Sequence, residues 1–310
     1  GGSGFVGRYV VQALAERGYR VRVACRRPDL AGFLRTCGTV GQVQPVQANV
    51  RYPASVARGV EGADAVINLV GILFPTGKQK FDAVQAQGAR AIAQAAKAEG
   101  ITNFVQMSAI GADAESDIAY ARTKGEGERA VLDLIHEAVV LRPSIVFGPE
   151  DEFFNRFADM ATKLPVLPLI GGGETRFQPV YVGDVAEVAA RAIEGKLAPG
   201  ATYELGGPQV ANFKECLELM LDVIHRKRRF VSLPFPLAKL QGSILQLLPK
   251  PPLTVDQVRL LEKDNVVSDA AKAEGRTLEG LDINPQSMTA VLPSYLERFR
   301  PYGQFASKKT

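Results

Sequence analysis

Apolar positions in the first half of the chain switch repeatedly between two periods. Val6, Val10, Val11 and Leu14 recur at helical spacing and predict an amphipathic helix beginning near residue 5. Tyr19-Arg20-Val21-Arg22-Val23-Ala24-Cys25 then alternates as a half-buried strand does, and stops at Arg26-Arg27-Pro28. A helix around Asp29 to Arg35 leads to a strand at 42–47, followed by Asn49-Val50-Arg51. After a short helix, Ala65-Val66-Ile67-Asn68-Leu69-Val70 is nearly unbroken in apolar residues, as expected of a parallel strand covered on both faces. A long helix from about Gln79 to Glu99 places Phe81, Val84, Gly88, Ala91, Ile92 and Ala95 on one face. A strand at 103–108, a helix carrying Tyr120 and Lys124, and a strand at 138–141 ending in Arg142-Pro143 complete this half. Such alternation with short connections predicts an α/β fold, a Rossmann-type doubly wound parallel sheet.

The rhythm changes at Gly148. Phe153-Phe154-Asn155-Arg156-Phe157 begins a helix, and Leu164-Pro165-Val166-Leu167-Pro168 leads to Gly171-Gly172-Gly173. The segment from Phe177 to Val182 enters a helix capped by Asp184 that runs to about Gly195. A strand at 202–205, a helix at 213–225 and a strand at 230–233 follow. The predicted organisation is a larger unit over 1–148, to which 176–196 returns, and a smaller C-terminal lobe built from 149–175 and 197–310. Within that lobe, His225-Arg226-Lys227-Arg228-Arg229 is a basic run at a helix end. It precedes an apolar stripe of Leu237, Leu240, Ile244, Leu245, Leu247 and Leu248 between Pro236 and Pro249. Two readings stay open for 225–248: a core-facing helix beside a solvated charge cluster, or a docking face for a membrane surface or a large partner.

Composition narrows the classes. Across 310 residues, 46% hydrophobic and 23% charged is ordinary for a globular chain with a sizeable core. A net charge of +4 is mild, and no basic stripe interleaved with aromatics marks a nucleic-acid surface. Cys25, Cys37 and Cys216 share no paired spacing, and His136 and His225 stand alone, so neither a disulfide framework nor a metal site is expected. No run of about 18 apolar residues is present to span a bilayer.

The chemistry concentrates in a few places. Gly1-Gly2-Ser3-Gly4-Phe5-Val6-Gly7 sets three glycines at G-x-x-G-x-x-G spacing before a helix, a turn whose amides can approach a pyrophosphate closely. The chain starts where the strand preceding such a turn should have ended, so a central strand is expected upstream. Arg26 and Arg27 close the next strand, where an acid would favour NAD and arginine accommodates the 2′-phosphate of NADP. Tyr120 and Lys124, four apart on one helix face, form a pair in which an ammonium is expected to lower the pKa of a phenol.

Taken together, the glycine turn, Tyr120-x-x-x-Lys124, and Arg142-Pro143 before Phe147-Gly148 resemble the extended and atypical short-chain dehydrogenase/reductases. Longer stretches are similar to one branch: Ile67-Asn68-Leu69-Val70-Gly71, the segment from Ser108 to Asp113, the segment from Leu141 to Asp151, residues 153–157, and the segment from Phe177 to Ala186. That branch is the NADPH-binding accessory subunit of respiratory complex I, alpha subcomplex subunit nine, with its alphaproteobacterial relatives. The tail Leu292-Pro293-Ser294-Tyr295-Leu296 with Phe299-Arg300-Pro301 resembles the bacterial members most.

The resemblance implies a tightly held NADPH that stabilises the fold. It also implies docking on the peripheral arm of complex I beside the membrane, on the cytoplasmic face in bacteria or the matrix side in mitochondria. By position, it places Gly1, Ser3, Gly4, Phe5 and Val6 around the pyrophosphate, and Arg26 and Arg27 at the 2′-phosphate. Asn49 and Val50 fall by the adenine, and Leu69, Val70 and Gly71 along the ribose side. Tyr120 and Lys124 fall at the nicotinamide ribose, with Pro143, Ser144 and Ile145 near the nicotinamide. Active members carry a second hydroxyl where this chain has Ala109 after Ser108, which leaves Ser108, Tyr120 and Lys124 as candidate catalytic residues with a donor missing. The readings carried forward are therefore an NADPH-holding accessory or assembly subunit and a working NADPH-dependent reductase or epimerase-like enzyme, on a quinone- or isoprenoid-related substrate.

Overall fold

The computed structural model describes residues 1–246, 248 and 251–303; Leu247 and Pro249 of the predicted apolar stripe lie outside the described residues. Helix α1 (Phe5–Glu16) follows the glycine turn and leads into strands β1 (Val21–Cys25) and β2 (Val43–Gln47), which pair in parallel with Val21 opposite Val43. Helix α2 (Pro53–Val60), strand β3 (Val66–Asn68), helix α3 (Gln87–Ala98), strand β4 (Phe104–Met107), helix α4 (Ala119–Leu132) and strand β5 (Val139–Pro143) come next.

The smaller lobe is then woven in. Strand β6 (Val146–Phe147), helix α5 (Phe154–Lys163) and strand β7 (Val166–Ile170) precede strands β8 (Arg176–Phe177) and β9 (Val180–Tyr181). Helix α6 (Val182–Ile193) and strand β10 (Thr202–Leu205) return to the main sheet, which is all parallel in the order β10-β5-β4-β3, with β1 and β2 forming a separate pair. Strand β11 (Ala211–Asn212), helix α7 (Phe213–Val223), strand β12 (Arg229–Leu233), helix α8 (Phe235–Leu245) and helix α9 (Val255–Leu260) belong to the lobe, with β12 pairing β7 in parallel.

Burial explains the layers. Val10 and Leu14 of α1 and Val185, Val188 and Ala189 of α6 pack with Val105, Leu141 and Leu205 on one side of the sheet. On the other side Ile92, Ala93 and Ala96 of α3 and Val131 of α4 pack on Phe104. Helices on both faces make the sheet doubly wound, the predicted α/β class. A separate core of Phe147, Phe154, Leu167, Phe213, Leu217, Met220 and Leu292 holds the smaller lobe.

Several local expectations are corrected. The helix foreseen around Asp29 to Arg35 is two 3-10 turns, Pro28–Leu30 and Gly32–Cys37, because Ala31 leaves helical geometry before Gly32. The long helix from Gln79 opens with a π-helical turn over Asp82–Ala86 before α3, where Gly88 lies so near Val50 that a Cβ would stand 3.1 Å from its methyl. Asp184 does not cap α6. The helix starts two residues earlier, and the Asp184 carboxylate instead accepts from the Gln286 amide at 2.8 Å.

In α8 only Ala238 and Gly242 are buried, while Leu237, Leu240 and Ile244 are 53%, 61% and 63% exposed. The helix turns its small residues inward and its large apolar ones out. Within the basic run, Arg226 donates to the Phe299 carbonyl at 2.8 Å and Arg228 to the Ala161 carbonyl at 2.7 Å, so both tie the lobe together. No helix among the described residues is long and apolar enough to cross a membrane.

Candidate functional site

The glycine turn is built to bring backbone against backbone. A Cβ on Gly1 would stand 2.5 Å from the Leu69 carbonyl, and one on Gly7 would stand 2.5 Å from the Gly1 oxygen and 2.6 Å from Gly2. Both contacts are with main chain, so no side chain can yield and glycine is required at each position. Gly4 precedes α1 with no side chain capping it, and the first helical turn contains no acid. The amides at this helix start are thus unclaimed by side chains, and the helix dipole favours an anion there.

The turn opens onto a cavity of about 1350 Å³ at the carboxyl ends of the parallel strands. Gly1, Ser3, Gly4, Phe5, Val6, Arg26, Asn49, Val50, Leu69, Val70 and Gly71 line one part of it, with Ser108, Tyr120, Lys124, Pro143, Ser144 and Ile145 continuing the wall. Arg27 is the predicted site residue that does not line it; its side chain is exposed and pairs with Asp29 at 3.2 Å. Arg26 faces the cavity and donates to Gln79, another lining residue. Strand ends deliver these groups: Asn68, buried at the end of β3, accepts from the Val70 amide at 3.0 Å and donates to Gln106 at 2.8 Å, which fixes the turn that presents Leu69 to Gly71.

Helix α4 carries Tyr120 and Lys124 into the cavity, but their electrostatics differ from the sequence expectation. Tyr120 stands edge-on to Phe81, with ring centres 5.9 Å apart, and burial pushes its phenol up to about 12. Burial likewise pushes Lys124, 7% exposed, down to about 8, against an opposing pull from Glu128. The lysine Nζ donates to the Met107 carbonyl at 3.4 Å, and Glu128 is held by Arg142 through bonds of 3.0 and 2.6 Å. Burial alone sets the Tyr120 shift and Lys124 contributes nothing to it, so the expected depression of the phenol pKa is not found.

Ser108, at the end of β4, is buried, and its Oγ has no hydrogen-bond partner among the described residues. A buried orphan hydroxyl normally implies a missing partner. Facing the same cavity as Tyr120, it can supply the donor that Ala109 lacks.

Asn265 joins the wall without any motif in the sequence to mark it. It reaches the cavity from a segment beyond α9, accepts from Ser144 Oγ at 2.7 Å and donates to the Ile110 carbonyl at 3.2 Å. Its position depends on a parallel bridge to Phe177, and no local periodicity in the sequence announces it.

The profile of the NAD dependent epimerase/dehydratase family matches residues 1–206. The chain belongs to this family. It is 37% identical over 316 residues to NADH dehydrogenase (ubiquinone) 1 alpha subcomplex subunit 9, mitochondrial, of Arabidopsis thaliana, covering 98% of this chain and 77% of that one. The Mus musculus protein of the same name is 32% identical, with 99% and 81% covered. The ceramide reductase of Caulobacter vibrioides is 33% identical over 186 residues, 60% of this chain and 57% of that protein. The two subunit 9 matches bear out the branch resemblance. The residues present also fit a nicotinamide dinucleotide: unclaimed helix-start amides for the pyrophosphate, a buried lysine and an unpartnered hydroxyl further along one wall. When bound, that group would supply a hydride, and the residues that would hold it are those of the glycine turn and of the wall carrying Tyr120 and Lys124.

Proposed function

We propose that this protein is an accessory or assembly subunit of respiratory complex I that holds NADPH mainly as a structural cofactor. The observation that carries the reading is the likeness to subunit 9 proteins over 98% of the chain, including the lobe outside the family profile. NADPH rather than NADH is supported by Arg26 on the cavity wall and by the lack of an acid closing β1. The pyrophosphate lies over Gly1, Ser3, Gly4, Phe5 and Val6, the adenine beside Asn49 and Val50, and the nicotinamide end between Lys124 and the run Pro143, Ser144 and Ile145. The exposed face of α8 turns to the membrane or to a neighbouring peripheral-arm subunit. Tagged protein expressed in its own cells and recovered from solubilised membranes should co-migrate with NADH:ubiquinone oxidoreductase activity. Recovery only as a free species would overturn the reading.

A second reading, an NADPH-dependent reductase, is favoured by the convergence of Tyr120, Lys124 and the unpartnered Ser108 hydroxyl on one cavity, and by the match to a ceramide reductase. Consumption of NADPH in the presence of a carbonyl substrate, lost in Tyr120→Phe, would put this reading first.

A further inference from the structure

The cavity does not stop where a dinucleotide would end. Past Asn265 it runs into the smaller lobe, where Phe153, Phe157, Met160, Leu253, Leu260 and Leu261 line it. Each of these is only half-buried, and all are aromatic or aliphatic. Small-molecule sites usually occupy about 300–1,000 Å³, so about 1350 Å³ leaves room for a second ligand beside one nucleotide.

The polar groups along this part are already engaged or lie at the rim. Arg156 donates to the Pro252 carbonyl, Asp264 pairs with Arg176 at 2.7 Å, and Gln257 accepts from the Thr254 amide at 3.1 Å in a capping box. Gln241, Lys263 and Glu152 are exposed at the edge. What faces the interior is therefore hydrocarbon. Helix α8 borders the same chamber through Leu245, while Leu237, Leu240 and Ile244 on the adjoining face stand in solvent. An apolar surface thus flanks the chamber from outside.

We propose that this chamber is a binding site for a single hydrocarbon tail, acyl or isoprenoid, whose polar head points toward Ser108 and Tyr120. The inference rests on the nucleotide occupying the first part of the cavity as proposed above. A sugar or other polyhydroxylated ligand would leave its hydroxyls unpaired against these side chains, whereas methylenes lose nothing there.

The test is a chain-length series on the full-length protein saturated with NADPH. Octanol, decanol, dodecanol and tetradecanol compete with a fluorescent fatty acid, cis-parinaric acid, alongside geraniol and farnesol. Affinity should rise about fourfold per methylene, the tightening expected for burial of each such group, and then level off once the chamber is full. Met160→Trp should move that plateau to a shorter chain while leaving NADPH affinity unchanged. Tighter binding of decanol than of geraniol identifies an acyl source, and the reverse order identifies an isoprenoid one.

NADPH binding without any chain-length dependence would overturn the chamber while leaving the cofactor reading intact. Chain-length-dependent binding in a protein that takes up no NADPH would do the opposite.

Discussion

Lys124 offers a test in which stability and binding should move in opposite directions. Its ammonium is buried beside Gly71 and the Met107 carbonyl, and burial lowers its pKa from 10.5 to about 8. That drop corresponds to roughly 3 kcal/mol of destabilisation wherever the lysine is charged in both states. The unfolded chain keeps its proton up to 10.5 while the folded one loses it near 8, so the unfolded state binds more protons between those values. Stability of the nucleotide-free protein must then rise with pH across that window.

Replacing the ammonium by an apolar side chain of similar length, Lys124→Met, removes the penalty. Without nucleotide at pH 7, the variant should be more stable than the parent by roughly 3 kcal/mol, a Tm increase on the order of 5 °C. The difference should shrink through pH 8 to 10.5 and vanish above. The same variant should bind NADPH roughly ten- to a hundredfold more weakly, the loss expected for a hydrogen bond to a charged group. Chemical denaturation at several pH values and an NADPH titration check both halves. A variant less stable than the parent at pH 7, or a difference that ignores pH, would refute the reasoning.

Other outcomes follow from the same geometry. Gly7→Ala forces a methyl against three backbone atoms and should cost about 2 kcal/mol by thermal denaturation, with loss of NADPH binding; Gly4→Ala, 3.2 Å from a single carbonyl, should be milder. Arg26→Asp should cut the preference for NADPH over NADH at least about tenfold, whereas Arg27→Ser, outside the cavity, should leave it unchanged in paired titrations. Leu240→Glu with Ile244→Glu should alter stability by no more than about 0.5 kcal/mol, because both side chains are exposed. If α8 is the docking face, it should still release the protein from membranes in a sedimentation assay.

The parts of the fold that were legible are those governed by local period. The nearly unbroken apolar run at β3 and the alternation at β1 follow from how many faces each strand buries, a property each segment carries in itself. What was not legible depends on partners distant in sequence. Nothing in β1 distinguishes Arg26 from Arg27, since the turn at Pro28 and the pairing with Asp29 decide which one faces the cavity. Asn265 is placed by a bridge to Phe177, eighty-eight positions away.

The Tyr120 shift runs opposite to the expected sign for a related reason. The four-residue spacing puts a lysine on the same helix face, but does not show that burial shifts each group while neither acts on the other. Helix α8 shows a further limit: its leucines predict an apolar face, and only the packing of Ala238 and Gly242 reveals that this face points outward.

The central claim, a chain that keeps NADPH as part of its structure, is tested most directly by denaturing protein purified without added nucleotide and identifying what is released. About one NADPH per chain is expected, still reduced after exposure to carbonyl substrates. Release of NADH, or of nucleotide oxidised by those substrates, would contradict it.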